Sequence, residues 1–360
     1  MGVEEELLLV DPVTGEVQSS ADAVLNAETD DRLTTELQQE QVETGTGPHS
    51  QLQELHSEIV SLRRHADEVA AQTRARVVAL GTYPLPVAPR VTPKPRYEKM
   101  VERFGLTASE QLTCGCHVHV AVADDEEGVA VLDRIRPWLP VLLAVSANSP
   151  YWQGADSGYA SFRSQSWSRW PSSGPTPIFG TPERYHSLVR GLIASGTIVD
   201  DGMIYFEARL SAKYPTVELR AADVCRRPED AMLIAALARG LVETASREWK
   251  AGRTPDDMPT ELLRVASWRA GRSGLDGELV HPRTGRPAPA REVAADLMVH
   301  VSAALSDFGD RSVVEDLWAA LWDRGNGARA QRETFARTNE LNVVVLEAVA
   351  DGTGPCGTVR

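Results

Sequence analysis

The stretch TCGCHVHVAV, residues 113–122, places two cysteines and two histidines in the six positions from Cys114 to His119. Folded as a loop, it would offer a zinc knuckle or a redox pair. Folded as a strand, it offers neither. Val118, Val120 and Val122 alternate, and successive side chains of a pleated strand point to opposite faces. Cys114, Cys116, Val118 and Val120 then share one face, while His117 and His119 share the other with Gly115 and Ala121. The four ligand-type side chains do not converge, and the chain has no CxxC or matching histidine pair to complete a zinc site. The cysteines read as small core residues. The two histidines face something polar.

Composition bounds that polar partner. A chain of 360 residues with 42% hydrophobic content can bury a large core. Its 51 acidic and 37 basic residues give a formal net charge of -14, which argues against a nucleic-acid surface or an anionic membrane as partner. No apolar run reaches the roughly 18 residues of a membrane-spanning helix, and the opening MGVEEELLLVDP is acidic where a signal peptide is basic. The expectation is a cytoplasmic protein. Cysteines at 114, 116, 225 and 356 are too few and too uneven for a disulfide framework and read as reduced thiols.

Along the chain, Gly2–Val10 reads as a strand closed by the turn DPVTG. Leu52, Leu55, Ile59, Leu62, Ala66, Val69 and Ala70 recur at helical spacing and predict an amphipathic helix within residues 50–80. The stretch 82–96 contains five prolines and reads as a stiff extended loop. An apolar helix is expected around Val129–Ala147, ending at the NSP of residues 148–150. The segment 151–177, rich in tryptophan, arginine, serine, glycine and proline, suits either a loop binding an anionic or planar ligand or a solvent-covered loop with snorkelling arginines. Residues 203–224 read as a hairpin around SAKYP. Helices are expected at 231–250, 293–305, 313–322 and 328–350, with an irregular insertion at 269–290. The expected architecture is α+β in a single domain, sheet-rich over 1–225 and helix-rich over 226–360.

Three strands carry charge in alternation. Glu4 and Glu6 share one face of the first strand, Glu218 and Arg220 share one face of TVELR, and Glu207 and Arg209 repeat that pair on its hairpin partner. Any one of these acids could simply face solvent. An ionised carboxylate on a covered sheet face, however, costs several kcal/mol to desolvate unless it is paired or metal-bound. Glutamates, histidine and arginines on one sheet face suit a divalent metal with polyphosphate, because carboxylate oxygens hold the cation and guanidinium groups meet phosphate. Neither GxxxxGK[ST] nor GxGxxG occurs, so a nucleotide would be held through metals.

Six motifs in order, GVEEELLLVDPVTGEV, QVETGTG, CGCHVHV, NSP, GYASFRSQSWSRWPSSGP and TVELRAADV, resemble the type 2 glutamate–cysteine ligase family of carboxylate–amine ligases, relatives of glutamine synthetase. The resemblance implies an antiparallel sheet funnel flanked by helices. It also implies ATP with Mg²⁺ or Mn²⁺, and small carboxylate and amine substrates joined through an acyl phosphate. By the same resemblance Glu4, Glu6, Glu43, His117 and Glu218 are metal ligands, with His119, Glu36 and Glu207 as possible additions. Arg209 and Arg220 face phosphate or carboxylate, Arg163 recognises the substrate carboxylate, Tyr97 closes over the site, and Arg269 and Arg272 reach phosphate from the far side. L-Glutamate and L-cysteine are the default pair, giving γ-glutamylcysteine, and relatives suggest a homo-oligomer. The family often has Trp-Asp-x-Arg where this chain reads Phe206, Glu207, Ala208, Arg209, which puts the default pair in doubt. A metal-dependent phosphotransferase or ATP hydrolase, or a non-catalytic relative, remains the alternative.

Overall fold

The acidic–apolar run at the N-terminus forms the long strand β1, Gly2–Val10, which recruits partners on both edges. In the computed structural model, which describes residues 1–353, the other strands of this sheet are β2 (Leu33–Thr35), β3 (Gln41–Gly45), β4 (Arg76–Val78) and β5 (Gly115–Ala121). After a separate hairpin of β6 (Tyr151–Trp152) and β7 (Ala155–Asp156), β8 (Ala208–Leu210) and β9 (Thr216–Asp223) complete it. The order is β2-β3-β1-β5-β9-β8, with β4 pairing β1 beyond the end of β5, and every pairing is antiparallel. Cys356, counted above among the thiols, lies outside the described residues.

One face of the sheet is apolar. Val3 opposes Val118, Val118 opposes Leu219, and Leu219 opposes Ala208, and directly opposed residues project to the same side. All four are buried in one cluster with the helices Leu139–Ser146 and Pro228–Lys250. Glu5 also leaves the acidic face. Its carboxylate is gripped by Arg63, Nε to Oε2 at 2.8 Å and Nη2 to Oε1 at 2.6 Å, and Arg63 donates further to the carbonyls of Cys225 and Arg226. A buried ion pair with its remaining donors satisfied is the arrangement in which such a pair is tolerated.

The cysteines are buried and free, as the strand reading requires. They do not share one cluster, however: Cys116 packs with Val3 and Val118, whereas Cys114 packs with Leu7, Leu9 and Leu112. The register shifts between Cys116 and Val118, whose partners Ala222 and Leu219 lie three apart, so the extra residue bulges from β9.

Other boundaries move for local reasons. The helix in 50–80 is Leu52–Gln72, and the chain turns through Arg74 at φ 64° into β4, where consecutive β-branched residues favour a strand. The proline-rich loop ends at Pro95, which begins the helix Pro95–Phe104 because the first helical position needs no amide donor. The apolar helix is split around Pro137, and the C-terminal one at Asn339, whose φ of 57° is left-handed. The irregular insertion begins inside a helix, Thr260–Ser273, and continues as the hairpin β10 (Glu278–Val280) and β11 (Pro287–Pro289).

Candidate active site

Strand register turns the alternating acids into a row. Thr34 opposes Glu43, which opposes Glu6; Glu4 opposes His117; His119 opposes Glu218, which opposes Arg209. Each step keeps the side chain on the same face. The row therefore crosses the sheet from β2 to β8, along the floor of a cleft of about 700 Å³. Helix Pro95–Phe104 contributes Tyr97 and Arg96 to the wall, and Glu36 enters from the turn after β2.

Three groups of donors lie along this floor: Glu6, Glu36 and Glu43; Glu4, Glu43 and His117; and Glu4, His119 and Glu218. Within each group one ligand atom per residue falls within 4.8 Å of the others. Consecutive groups share Glu43 or Glu4, so they form a chain of adjoining sites. His117 Nδ1 is 3.6 Å from Glu4, and its buried Nε2 has no partner among the described residues. Carboxylate oxygens with one imidazole nitrogen form a donor set suited to Mg²⁺ or Mn²⁺.

The electrostatics divide the row in two. Burial raises the Glu36 carboxyl, and the charge of Glu6 adds to it, pushing its pKa up to about 8. Burial, then Glu36 and Glu4, hold Glu43 well above the usual carboxylate range. This is like-charge crowding without a neutralising partner. At the other end burial opposes ionisation of Glu218, but Arg220 and Arg209 outweigh it and bring its pKa to about 2. Arg209 Nε sits 2.7 Å from Glu218 Oε2, and Arg220 Nη1 bonds Oε1. Burial likewise raises Glu4, yet the hydrogen bonds of His117 and His119 hold it below the carboxylate range. Burial and the Arg220 charge lower His117 and keep its imidazole neutral, the form a metal requires.

Arg220 also lines a second cavity of about 530 Å³, together with Arg163, Glu207, Trp167 and Trp268. Arg163 is buried, Nη1 3.8 Å from Asp223 Oδ1, and its guanidinium lies against Gly115. A Cβ at that glycine would sit 2.3 Å from Arg163 Nη2 and 2.9 Å from His117 Nε2, so any larger residue there displaces both side chains.

Of the residues expected from the sequence, Glu4, Glu6, Glu43, His117, His119, Glu36, Glu218, Arg209, Arg220 and Tyr97 line the carboxylate cleft. Arg163 lines the adjoining cavity instead. Glu207 does too, while Arg209 lines the cleft. Arg269 and Arg272 line neither: Arg269 pairs with Glu278, and Arg272 donates to the Gly158 carbonyl over the ring of Tyr159. They sit on a helix, and it is Arg264, Ser267 and Trp268 of that helix that face the cavity. These three, with Tyr205, were not anticipated. Leu263, Ala266 and Ala270, buried at helical spacing, were the available signal.

The sheet with its crossing row of acids has the architecture of carboxylate–amine ligases. The family model for glutamate–cysteine ligase family 2 matches residues 1–350. A protein of Streptomyces avermitilis provisionally named glutamate–cysteine ligase 2-1 is 54% identical over 359 residues, covering 98% of this chain and 99% of that one. A similarly named protein of Streptomyces coelicolor is 52% identical, covering 97% and 98%. The solved glutamate–cysteine ligase of Francisella tularensis in complex with AMP shares the fold, with TM-score 0.68 at 13% identity over 97% of this chain and 86% of that one. The chain belongs to glutamate–cysteine ligase family 2 and is an enzyme of the carboxylate–amine ligase class.

Proposed function

We propose that the protein joins a small carboxylic acid to an amine at the expense of ATP, through an acyl phosphate, with L-glutamate and L-cysteine as the default pair. The observation that carries this reading is the chain of three adjoining donor groups ending at Arg209 and Arg220. Glu6, Glu36, Glu43, Glu4, His117, His119 and Glu218 would hold divalent cations, which when bound neutralise phosphate charge and orient the transferring phosphoryl group.

The protein's own residues do the rest. Arg220, fixed by Glu218 at the junction of the two cavities, presents a cation where a carboxylate entering from one side meets a phosphoryl group from the other. Arg209 grips both oxygens of Glu218, Nε to Oε2 at 2.7 Å and Nη2 to Oε1 at 3.2 Å, so the carboxylate and both guanidiniums are oriented before substrate arrives. Arg163, stacked over Trp167 at 5.8 Å, is the group for a substrate carboxylate. Tyr97, between Glu36 and the cleft mouth, keeps its phenol protonated because burial, then Glu36, raises it. The reading extends to a cytoplasmic setting and a homo-oligomer. Among the described residues no helix is long and apolar enough to cross a membrane.

The test is ADP release from Mg²⁺-ATP with L-glutamate and other carboxylates, with and without a panel of amines, and mass spectrometry of the products. Amine-dependent ADP release with a new amide mass supports the ligase. ADP without an amide favours a phosphotransferase or hydrolase, and no ADP with any acid favours a non-catalytic relative.

A further inference from the structure

The cavity beyond Arg220 is built differently from the acidic cleft. Its walls carry the indoles of Trp167 and Trp268, the guanidiniums of Arg163 and Arg264, and the polar pair Glu207 and Ser267. Arg163 is buried at the neck beside Arg220, whereas Arg264 is exposed at the mouth. Glu207 precedes β8, where its amide is taken by the Gly174 carbonyl at 3.1 Å, and the side chain leaves the sheet row for this cavity. Its Oε2 is buried with no hydrogen-bond partner among the described residues, as are Ser267 Oγ and Arg163 Nε. Glu207 belongs to none of the three donor groups of the cleft. The ligase reading therefore gives this buried acid no task.

A carboxylate with one buried, unpartnered oxygen is a receptor for a cation. Aromatic walls beside it suit a flat apolar body, and an arginine at the mouth suits a second, anionic end. The volume, about 530 Å³, falls in the roughly 300–1,000 Å³ range of pockets that enclose drug-sized ligands, room for an amine with a side chain beside the acid held at Arg163. Resting on the ligase reading, we propose that this cavity receives the amine co-substrate, that its ammonium docks on Glu207, and that the amine carries an extended apolar or aromatic side chain rather than the thiol of cysteine. An α-amino acid of this kind also places its carboxylate on Arg264.

The arrangement accounts for the protons of the reaction. The Glu207 carboxyl, raised by burial to about 7, can take one proton from the docked ammonium. The freed amine nitrogen attacks the acyl carbon as the bond to the phosphate oxygen breaks. Inorganic phosphate leaves, and the second amine proton goes to it. Amide, phosphate and protonated Glu207 are the products, and solvent resets the acid.

The test uses the full chain with Mg²⁺-ATP, the acid that supports turnover, and L-cysteine, L-phenylalanine, L-tryptophan and tyramine as amines. The expected result is kcat/KM for an aromatic amine at least about tenfold above that for cysteine. Glu207→Gln should raise the amine KM about tenfold or more, the scale of a lost charged hydrogen bond, and leave the ATP KM within about twofold. Arg264→Gln should raise KM for the amino acids and spare tyramine, which lacks a carboxylate. Trp268, 47% exposed, can be changed to Ala without emptying the core, and that variant should lose aromatic selectivity. A preference for cysteine, or an unchanged amine KM in Glu207→Gln while ligation continues, overturns the inference and leaves the ligase standing. Should no amine support ADP release, titration of intrinsic tryptophan fluorescence with L-phenylalanine decides the cavity separately. Saturable quenching lost in Glu207→Gln supports it, and its absence overturns it.

Discussion

In the metal-free protein the raised carboxyls of Glu36 and Glu43 make stability fall as pH rises, and Glu36→Gln should remove much of that fall. The folded pKa of Glu36 is about 8 against 4.5 for the free side chain, raised first by burial and then by Glu6. Below pH 4.5 both folded and unfolded chains hold this proton, so it contributes no difference. Between 4.5 and 8 the unfolded chain has released it and the folded chain has not, and where the unfolded state binds fewer protons stability falls with pH. At about 1.4 kcal/mol per pH unit, a shift from 4.5 to about 8 amounts to about 5 kcal/mol at most, with relaxation of the cleft reducing it to about 2–5 kcal/mol. For a chain of 360 residues, with an unfolding entropy near 2 cal/mol/K per residue, this is roughly 3–7 °C in Tm. The assay is calorimetric unfolding in EDTA at pH 5 and pH 8.5, repeated with Mg²⁺ or Mn²⁺. Glu36→Gln should unfold several degrees above the parent at pH 8.5 without metal, match it near pH 5, and gain less from added cation. A variant less stable than the parent at both pH values would refute the reasoning, because Glu36 would then be stabilising the fold.

Removing either partner of the Glu218–Arg220 pair, by Glu218→Ala or Arg220→Ala, should abolish ADP release while the protein stays folded, as circular dichroism would verify. Cys114→Ala and Cys116→Ala should keep activity and bound metal and lose about 1–2 kcal/mol in urea unfolding, since both side chains fill core and Cys114 Sγ also accepts from Gln41 Nε2 at 3.3 Å; loss of activity together with zinc would reverse the strand reading. Arg63→Ala should destabilise by about 3–5 kcal/mol because it leaves the Glu5 carboxylate buried without a partner, and Glu5→Leu combined with Arg63→Met should recover most of that loss. Gly115→Ala should lower activity by displacing both Arg163 and His117, since a Cβ there would sit 2.3 Å from Arg163 Nη2 and 2.9 Å from His117 Nε2, so that KM for the acid rises and Mn²⁺ affinity by calorimetry falls.

The acids and histidines of the cleft could be read from the chain because each lies on a strand where alternation holds: Glu4 and Glu6 on β1, His117 and His119 on β5, Glu218 and Arg220 on β9. Their meeting could not be read. The pairing of Glu6 with Glu43, and of Glu4 with His117, is a register between segments far apart in sequence, and a one-residue slip would send each side chain to the other face. Alternation did not show that Glu207, which lies just before β8 beside the bridge from Gly174 to Phe206, lines the second cavity while Arg209 lines the cleft. Glycines hid the helix Thr260–Ser273. Gly271 is not a breaker there, since a Cβ would strike Ser164 Oγ at 2.4 Å and the helix needs the close approach. Arg269 and Arg272, assigned to phosphate by the family resemblance, lie on that helix and line neither cavity.

The central claim, that the row of acids and arginines activates a carboxylate by phosphorylating it, is tested most directly by oxygen transfer. The acid substrate is labelled with ¹⁸O in its reacting carboxylate, turned over with ATP and the accepted amine, and the inorganic phosphate is examined by mass spectrometry. An acyl phosphate predicts one ¹⁸O in each phosphate formed along with amide. Phosphate free of label, with ADP still released, would mean that water or another acceptor takes the phosphoryl group, and would contradict the account.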